Sequence, residues 1–335
     1  MKTKKVLRAA GKITAVIVGA VLLLCAGLYV NNAVRLHIEA PLTKPLGSIA
    51  EADGHRISIY CEGEGEHTLV FLQGGGLPCP ILEAKSLYSR LSDKYRIAVI
   101  ERPGYGYSEE CDELIPLEQE LELERKALTQ LGIDGPYILV PHSASGIEAL
   151  LWAGKYPDEV EAIAGLDMSL PDYYKELYDL DEMRAEAGKS HFVYEVQYAF
   201  MRKLGIARFY DIGSILDSFK TGSLTEEDKA VYKAVAYKIY FNRTMLEGML
   251  TLPEDIDAVE SVDLPDIPML MFISDGTQLG MKSPDDWISL QNDFAAAHGA
   301  QTVQLDCGHS MQNIEYVRIS EIMTDFIEKL DAEGR

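Results

Sequence analysis

The body of the chain alternates between short apolar runs and longer stretches whose apolar residues recur at helical spacing. The apolar runs lie at 56–60, 68–72, 95–100, 138–140, 160–166, 268–273 and 302–305. Continuous apolar runs are typical of strands buried on both faces, and their alternation with helices predicts a doubly wound, mostly parallel sheet. The glycines between the first two runs predict that these two strands form a hairpin.

One long interval breaks this alternation. Between residues 167 and 268 no strand-turn-helix unit is evident, and the pattern instead predicts helices at 173–180, 191–204, 212–219 and 226–240. We therefore predict an α/β core in two parts, 51–170 and 263–335, with a helical cap inserted at 171–262. The aromatic and methionine side chains of the insertion are expected to form mainly its own core.

The N-terminal segment has the pattern of a membrane span. Residues 13–30 are 18 uncharged, predominantly apolar positions, close to the minimum that crosses a bilayer. Five basic residues precede them: Lys2, Lys4, Lys5, Arg8 and Lys12. This bias predicts a cytoplasmic tail (1–12), a transmembrane helix (13–30), a linker (31–50) and an extracytoplasmic body, and hence a single-pass protein of the cell membrane.

Two other interpretations of this segment fit the sequence less well. A cleaved signal peptide would have a shorter apolar core and an exit site of small residues, whereas here the run continues past Ala26-Gly27 to Val30. A lipoprotein signal would use Cys25, but Leu24 before it is large. The pattern favours the anchor and leaves cleavage as the alternative.

The net charge of the chain disfavours binding to nucleic acid. The formal net charge is −22, and the first 30 residues carry five of the basic groups and no acid, so the remainder holds −27. Such an acidic body would repel nucleic acid.

The five cysteines lack metal-type spacing, and sequence alone leaves a disulfide and free thiols both open.

A serine lies where an apolar run meets a helical stretch. Residues 140–146 read VPHSASG, so Ser143 has small residues two positions away on both sides, Pro141 and Ser145. A serine at such a corner is exposed and accessible as a nucleophile. Ser145 is the poorer candidate because bulky Ile147 follows it at the same offset. A lone serine before a helix is more often a cap, so the other motifs decide.

Those motifs supply the remaining parts of a hydrolytic site. His309, in the run 307–310 (CGHS), is the candidate base. The acid that orients it is predicted to be Asp275, which follows the apolar run 268–273, with Asp167, after 160–166, as the alternative. The glycine-rich run 73–76 would contribute the Gly75 N–H, together with that of Ala144, to an oxyanion hole. No Gly-Lys-Ser/Thr follows, which disfavours a nucleotide site.

Four segments in this order give the chain a family resemblance. Residues 71–76 (FLQGGG) are similar to a His-Gly oxyanion loop, and 101–108 (ERPGYGYS) to an Asp-x-x-Gly-x-Gly-x-Ser loop. With the corner at Ser143 and the Gly308-His309 loop, the chain resembles the α/β-hydrolase fold family, of the membrane-anchored bacterial kind with a helical cap. The resemblance covers about residues 51–330. It implies an acid directly after the strand that precedes the histidine's own strand, which supports Asp275.

The sequence departs from the family pattern at three positions. Pro141 and Ser145 stand where glycines are usual, and Gln73 replaces the usual histidine. The resemblance implies a serine hydrolase that forms an acyl-enzyme on a small-molecule or short-peptide substrate, with no metal and no organic cofactor. Two alternatives stay open: an aminopeptidase-like amidase, and a non-catalytic ligand-binding ectodomain on the same fold.

Overall fold

The architecture is described from a computed structural model, which covers residues 2–185, 199–221, 223–240, 242–248 and 250–334. Its centre is an eight-stranded sheet of order β1-β2-β4-β3-β5-β6-β7-β8. The strands are β1 (Ser48–Ala52), β2 (His55–Glu62), β3 (Thr68–Leu72), β4 (Arg96–Glu101), β5 (Tyr137–Pro141), β6 (Val160–Leu166), β7 (Met269–Ile273) and β8 (Gln301–Gln304). Both pairings of β2 are antiparallel and all the others are parallel, which confirms the mostly parallel sheet.

The described residues form helices that cover both faces of this sheet, that build the cap, or that precede the body of the chain. They are α1 (Lys2–Glu39), α2 (Pro80–Leu91), α3 (Leu117–Gln130), α4 (Ser145–Lys155), α5 (Pro171–Leu177), α6 (Ile212–Ile215), α7 (Asp217–Lys220), α8 (Glu226–Ile239), α9 (Arg243–Glu247), α10 (Leu252–Glu260), α11 (Pro284–His298), α12 (Met311–Ile314) and α13 (Tyr316–Glu333). Short 3-10 helices lie at Ala40–Thr43, Pro157–Glu159 and Ile206–Phe209.

Side-chain alternation along the strands divides the core into two layers. Val70 and Leu72 of β3 pack with α3 and α4 on one face, while Leu69 and Phe71 pack with α2 and α13 on the other. Every residue of β3 and β5 is buried. These two central strands therefore place the loops after them at the middle of the sheet's carboxyl edge, where sites of α/β folds form.

The structure differs from the sequence-based expectations at the entry to the core. The stretch 31–50, predicted as a linker, contains the end of α1, which continues to Glu39, a 3-10 helix at Ala40–Thr43 and the start of β1 at Ser48. The predicted hairpin of 56–60 with 68–72 is wrong. β2 forms its hairpin with β1, and β4 occupies its other edge, so β2 and β3 are not neighbours. All five cysteines are free thiols.

The interval between β6 and β7 is helical where it is described. Of the stretch expected at 191–204, residues 191–198 lie outside the described residues and 199–203 are helical. The cap packs on the core through α6 and α8, whose Ile212, Tyr232 and Val235 contact Cys79 and Leu82. Its last helix, α10, instead joins the core layer of α3 and α4.

The first helix differs from the others in its surface. The segment Ala10–Thr43 is long and apolar enough to span a membrane, with a mean hydropathy of 2.6 in its most apolar window and none of that window buried. A helix with an apolar surface on all sides needs an apolar environment.

Candidate active site

Ser143 sits in a sharp turn between β5 and α4. Its φ of 57° lies in the left-handed region that residues other than glycine rarely adopt. The turn is held on both sides: the Ser143 N–H donates to the Leu166 carbonyl (3.3 Å), and the Gly146 N–H donates to the Ser143 carbonyl (2.9 Å). A strained residue at the carboxyl edge of a central strand points to a functional role for its side chain.

Close packing around Ser143 explains which of its neighbours must be small. A Cβ on Gly74 would lie 2.7 Å from the Ser143 Cβ and 3.2 Å from its Oγ, and a Cβ on Gly146 would lie 2.2 Å from the Ser169 carbonyl oxygen. Glycine is therefore required at 74 and 146. Neither glycine is predicted as a site residue from the sequence, although the Gly-Gly-Gly run is a signal for the first.

Ser145 is excluded as the reactive hydroxyl by its own contacts. The side chain is fully buried, donates from Oγ to the Leu72 carbonyl (2.7 Å) and accepts from the His142 N–H (2.9 Å). These hydrogen bonds link the end of β3 to the turn after β5. The glycine that the family usually has at this position could not form them.

His309 pairs with Asp167. The Nδ1 of His309 lies 2.6 Å from Oδ2 of Asp167, a residue at the end of β6 with φ 47° and no exposed surface. The other oxygen, Oδ1, accepts from the Ser274 N–H (2.9 Å) and from the Trp287 indole N–H (2.8 Å). A carboxylate held by three donors fixes the orientation of the imidazole. No sequence signal pointed to Trp287.

The expectation that Asp275 orients His309 is corrected by this geometry. Oδ1 of Asp275 accepts from the backbone N–H (2.9 Å) and the hydroxyl (2.6 Å) of Thr277, while its own N–H donates to the Cys307 carbonyl. Aspartate side chains commonly bind their own backbone two residues on. Asp275 thus stabilises its loop, and the alternative acid, Asp167, occupies the position beside the histidine.

The ring of His142 packs against the ring of His309. The two rings lie 4.9 Å apart, and Nε2 of His142 is 3.1 Å from the His309 carbonyl oxygen, which can only accept. Nδ1 faces the Gln312 amide nitrogen at 3.4 Å. Burial, followed by the neighbouring His309, lowers the pKa of His142 to about 3. His142 is therefore neutral, with its proton on Nε2, and supports the backbone of His309.

The loop after β3 lies against the turn that holds Ser143. A Cβ on Gly75 would be 3.8 Å from the Ala144 Cβ, so these two residues are adjacent. Within the part of the chain that the structure describes, neither the Gly75 nor the Ala144 N–H donates a hydrogen bond. The loop is anchored next to them, where the Gly76 N–H donates to the Tyr105 hydroxyl (3.1 Å).

A largely buried arginine, Arg102, binds the same loop. Arg102 donates from Nη2 to the Gln73 carbonyl (3.1 Å) and to Glu148 of α4 (2.6 Å), and its Nε lies 3.2 Å from Glu120 of α3. Burial opposes the charge of Arg102, but these two carboxylates together raise its pKa above its ordinary value. Arg102 thereby connects the loop after β3 to the helix that follows Ser143.

A third carboxylate, Glu124, completes this buried cluster. Oxygens of Glu120, Glu124 and Glu148 lie within 4.8 Å of one another. Burial raises the pKa of Glu120 to about 7, and burial together with Glu148 raises that of Glu124 well above its ordinary range. Three carboxylates are the ligand type of a hard cation, yet Arg102 already supplies positive charge to two of them.

The loop that follows β4 depends on Glu101. Its buried carboxylate accepts from the Tyr107 N–H (2.9 Å), and burial raises its pKa to about 8. A Cβ on Gly106, which has a φ of 54°, would lie 1.9 Å from Glu101 Oε1. Only glycine fits there, which accounts for the second glycine of the motif at 101–108.

Comparison with known proteins places the chain in a family. The Bacillus subtilis protein named "Uncharacterized protein YbdG" is 33% identical over 322 residues, which cover 92% of this chain and 94% of that protein. The chain belongs to the family of YbdG. No family model matches it.

Solved structures of the same architecture include three with named activities. A loop variant of the haloalkane dehalogenase DbeA from Bradyrhizobium elkanii has a TM-score of 0.60 at 17% identity, covering 86% of this chain and 97% of that one. For the Bacillus megaterium epoxide hydrolase the values are 0.59 and 18%, with 84% and 100% covered. For the Burkholderia xenovorans enol-lactonase they are 0.54 and 15%, with 84% and 100% covered. These likenesses confirm the α/β-hydrolase fold.

Proposed function

We propose that the protein is a serine hydrolase that cleaves an ester or amide bond of a small molecule or short peptide through an acyl-enzyme. The observation that carries this proposal is the pairing of fully buried Asp167 with partly exposed His309, at the same sheet edge as Ser143 and its strained turn. A serine hydroxyl needs a base to become a nucleophile, and an imidazole oriented by a carboxylate supplies one.

The proposed reaction assigns a role to each group. Ser143 attacks the acyl carbon while His309 takes its proton, and Asp167 stabilises the resulting imidazolium. The N–H groups of Gly75 and Ala144 donate to the oxyanion. His309 returns the proton to the leaving group, and water then releases the acyl group by the same steps in reverse. The cycle uses only these groups and water.

The bond cleaved is proposed from two observations. The enol-lactonase among the structural neighbours is named for a cyclic ester, which supports ester cleavage. The net charge of −22 favours a substrate that carries an amine, which supports an aminopeptidase-like amidase as the second candidate. The same charge disfavours nucleic-acid substrates.

We also propose that α1 anchors the protein in the cell membrane with the N-terminus in the cytoplasm and the hydrolase domain outside. Support comes from the apolar surface of α1 and from the five basic residues that precede its uncharged stretch. Membrane flotation of the full chain, resistant to high salt and carbonate, tests the anchoring.

Labelling with a fluorophosphonate probe tests the catalytic proposal. The full chain in detergent should be labelled, Ser143→Ala should not be, and Ser145→Ala should still react, because the Ser145 hydroxyl is buried and bonded to backbone. Persistent labelling of Ser143→Ala would refute the assignment. An intact, folded protein that never reacts with such probes or with short-chain esters would instead favour the non-catalytic ligand-binding domain.

Rates on p-nitrophenyl esters and on aminoacyl anilides separate the two bond types. Equal acceleration of both by the wild type, lost together in Ser143→Ala, would show a broad acyl hydrolase. A preference of about 100-fold or more for anilides with a free amine would favour the amidase.

A further inference from the structure

The end of α1 that follows its apolar stretch is bound to the cap. Asn32 is 3% exposed, donates from Nδ2 to the Arg202 carbonyl (3.1 Å), and accepts at Oδ1 from Arg208 Nε (2.8 Å). Gly205 makes this approach feasible, because a Cβ there would lie 2.6 Å from Asn32 Oδ1. An amide buried in such a contact indicates a built interface.

A second contact lies further along the same helix. Arg208 forms a two-pronged pair with Glu39, with distances of 2.8 and 2.7 Å, and both side chains are largely shielded from solvent. Asn32 and Glu39 are seven residues apart, or about 10 Å along a helix axis. Two contacts at that separation fix the direction of α1 relative to the cap. The segment Ala40–Thr43 then packs on α8.

Three aromatic side chains near these contacts are exposed. Phe200, Phe209 and Tyr210, which we name the aromatic patch, are 55%, 69% and 53% exposed. Phe209 and Tyr210 directly follow Arg208, and Phe200 precedes Arg202 by two residues. All three belong to residues 200–210, the same segment that binds Asn32. Exposed apolar groups that adjoin an interface mark a candidate interaction surface.

The position of Asn32 along α1 indicates what the aromatic patch contacts. Asn32 lies two residues beyond the apolar stretch 13–30, which is about 3 Å along the helix axis. If α1 spans a bilayer, the residues that bind Asn32 therefore lie at the level of the lipid headgroups. Aromatic rings concentrate at this level. Exposed Arg35 and Lys203 are suited to lipid phosphates there.

We propose that the cap rests on the bilayer that α1 spans and contacts its lipid headgroups and upper acyl chains through the aromatic patch. This inference depends on the anchoring proposed above. The cap is then held between two attachments, the α1 interface at Asn32 and Glu39 and the lipid contact at Phe200, Phe209 and Tyr210, so that the domain has one orientation on the membrane.

Tryptophan fluorescence in brominated lipid tests this orientation. The native Trp152 and Trp287 are both fully buried, so an introduced tryptophan can be followed against a protected background. Three variants of the full chain are reconstituted in vesicles of phosphatidylcholine with or without brominated acyl chains: Phe209→Trp in the aromatic patch, Leu23→Trp in the apolar stretch, and Thr302→Trp on exposed β8. Thr302 is the control position because β8 forms the opposite edge of the sheet from β1, the strand that follows α1 in the chain.

The expected result is strong quenching of Leu23→Trp, loss of roughly half of the signal for Phe209→Trp, and no added quenching for Thr302→Trp. Quenching of Leu23→Trp without quenching of Phe209→Trp would overturn the cap contact and leave the anchor standing. Absence of quenching in all three would overturn both. Shielding of Phe209→Trp from aqueous acrylamide without bromolipid quenching would assign the aromatic patch to a protein partner and also overturn the lipid contact.

Discussion

The carboxylate of Asp167 lies 2.6 Å from the imidazole Nδ1 of His309, with its second oxygen held by Ser274 and Trp287. The pair joins residues 142 positions apart in the chain. Both carboxylate oxygens accept hydrogen bonds and the side chain has no exposed surface. The geometry of the carboxylate is therefore rigid. Nε2 of His309 is then the ring nitrogen that does not face Asp167, and the reaction proposed above assigns it to the proton of Ser143.

Replacement of each candidate acid by asparagine separates their roles. Asp167→Asn should lower kcat by about 10⁴-fold, because an amide neither fixes the reactive tautomer nor stabilises an imidazolium. Asp275→Asn should retain activity to within about tenfold, since the amide oxygen can still accept from Thr277. The measurement is the rate on whichever ester or anilide the wild type cleaves. Equal losses in both variants, with unchanged thermal stability, would contradict the assignment of Asp167.

A matched pair of glycine variants tests the packing against Ser143. Gly74→Ala should lose at least about 100-fold in fluorophosphonate labelling rate, because its Cβ would lie 2.7 Å from the Ser143 Cβ. Gly75→Ala places its Cβ at 3.8 Å from the Ala144 Cβ, an ordinary contact, and should keep its fold and most of its reactivity. Undiminished labelling of Gly74→Ala would show that the loop after β3 lies elsewhere.

Removal of the His142 hydrogen bonds tests its support of His309. His142→Phe keeps a ring against His309 but loses the bond to the His309 carbonyl, and kcat should fall about tenfold, the equivalent of one hydrogen bond. Because His142 is neutral, with a pKa of about 3, the acid limb of the pH–rate profile should not move. A displaced acid limb would mean that His142 itself titrates in the reaction.

The buried glutamate of the loop after β4 makes stability depend on pH. Burial raises the pKa of Glu101 from 4.5 to about 8, so the folded protein binds a proton that the unfolded chain releases between these values. Its contribution to stability is complete below about pH 4.5 and is lost as the pH rises towards 8. Wild-type Tm should therefore fall over this interval.

Glu101→Gln should show a shallower fall in Tm than the wild type, since a neutral amide removes this ionisation. The two melting curves, compared in detergent from pH 5 to 9, should differ by about 3 °C or more at the alkaline end. Glu321→Gln, at an exposed position of α13, is the control and should follow the wild type. Parallel curves for Glu101→Gln and wild type would exclude this carboxyl as a source of the pH dependence.

Patterns confined to short stretches of sequence predicted much of the architecture. The parallel sheet, the helical interval between β6 and β7 and the apolar first helix follow from residue periodicity, which reports burial directly. Ser143 and His309 were named from local motifs, since a turn with small neighbours needs only adjacent residues. Both lie at the sheet edge where the strand order brings them, although their catalytic roles stay predictions.

Contacts between distant segments were decided only by the tertiary structure. Asp167 and Asp275 end neighbouring strands and look equivalent in sequence, but Thr277 binds Asp275 locally, while the distant Trp287 holds Asp167 beside His309. The docking of Asn32 on residues 202–208 likewise depends on where the chain returns in space. Periodicity specifies which face of an element is buried. The direction of a polar side chain in a loop depends on which partners the completed fold brings within hydrogen-bonding distance.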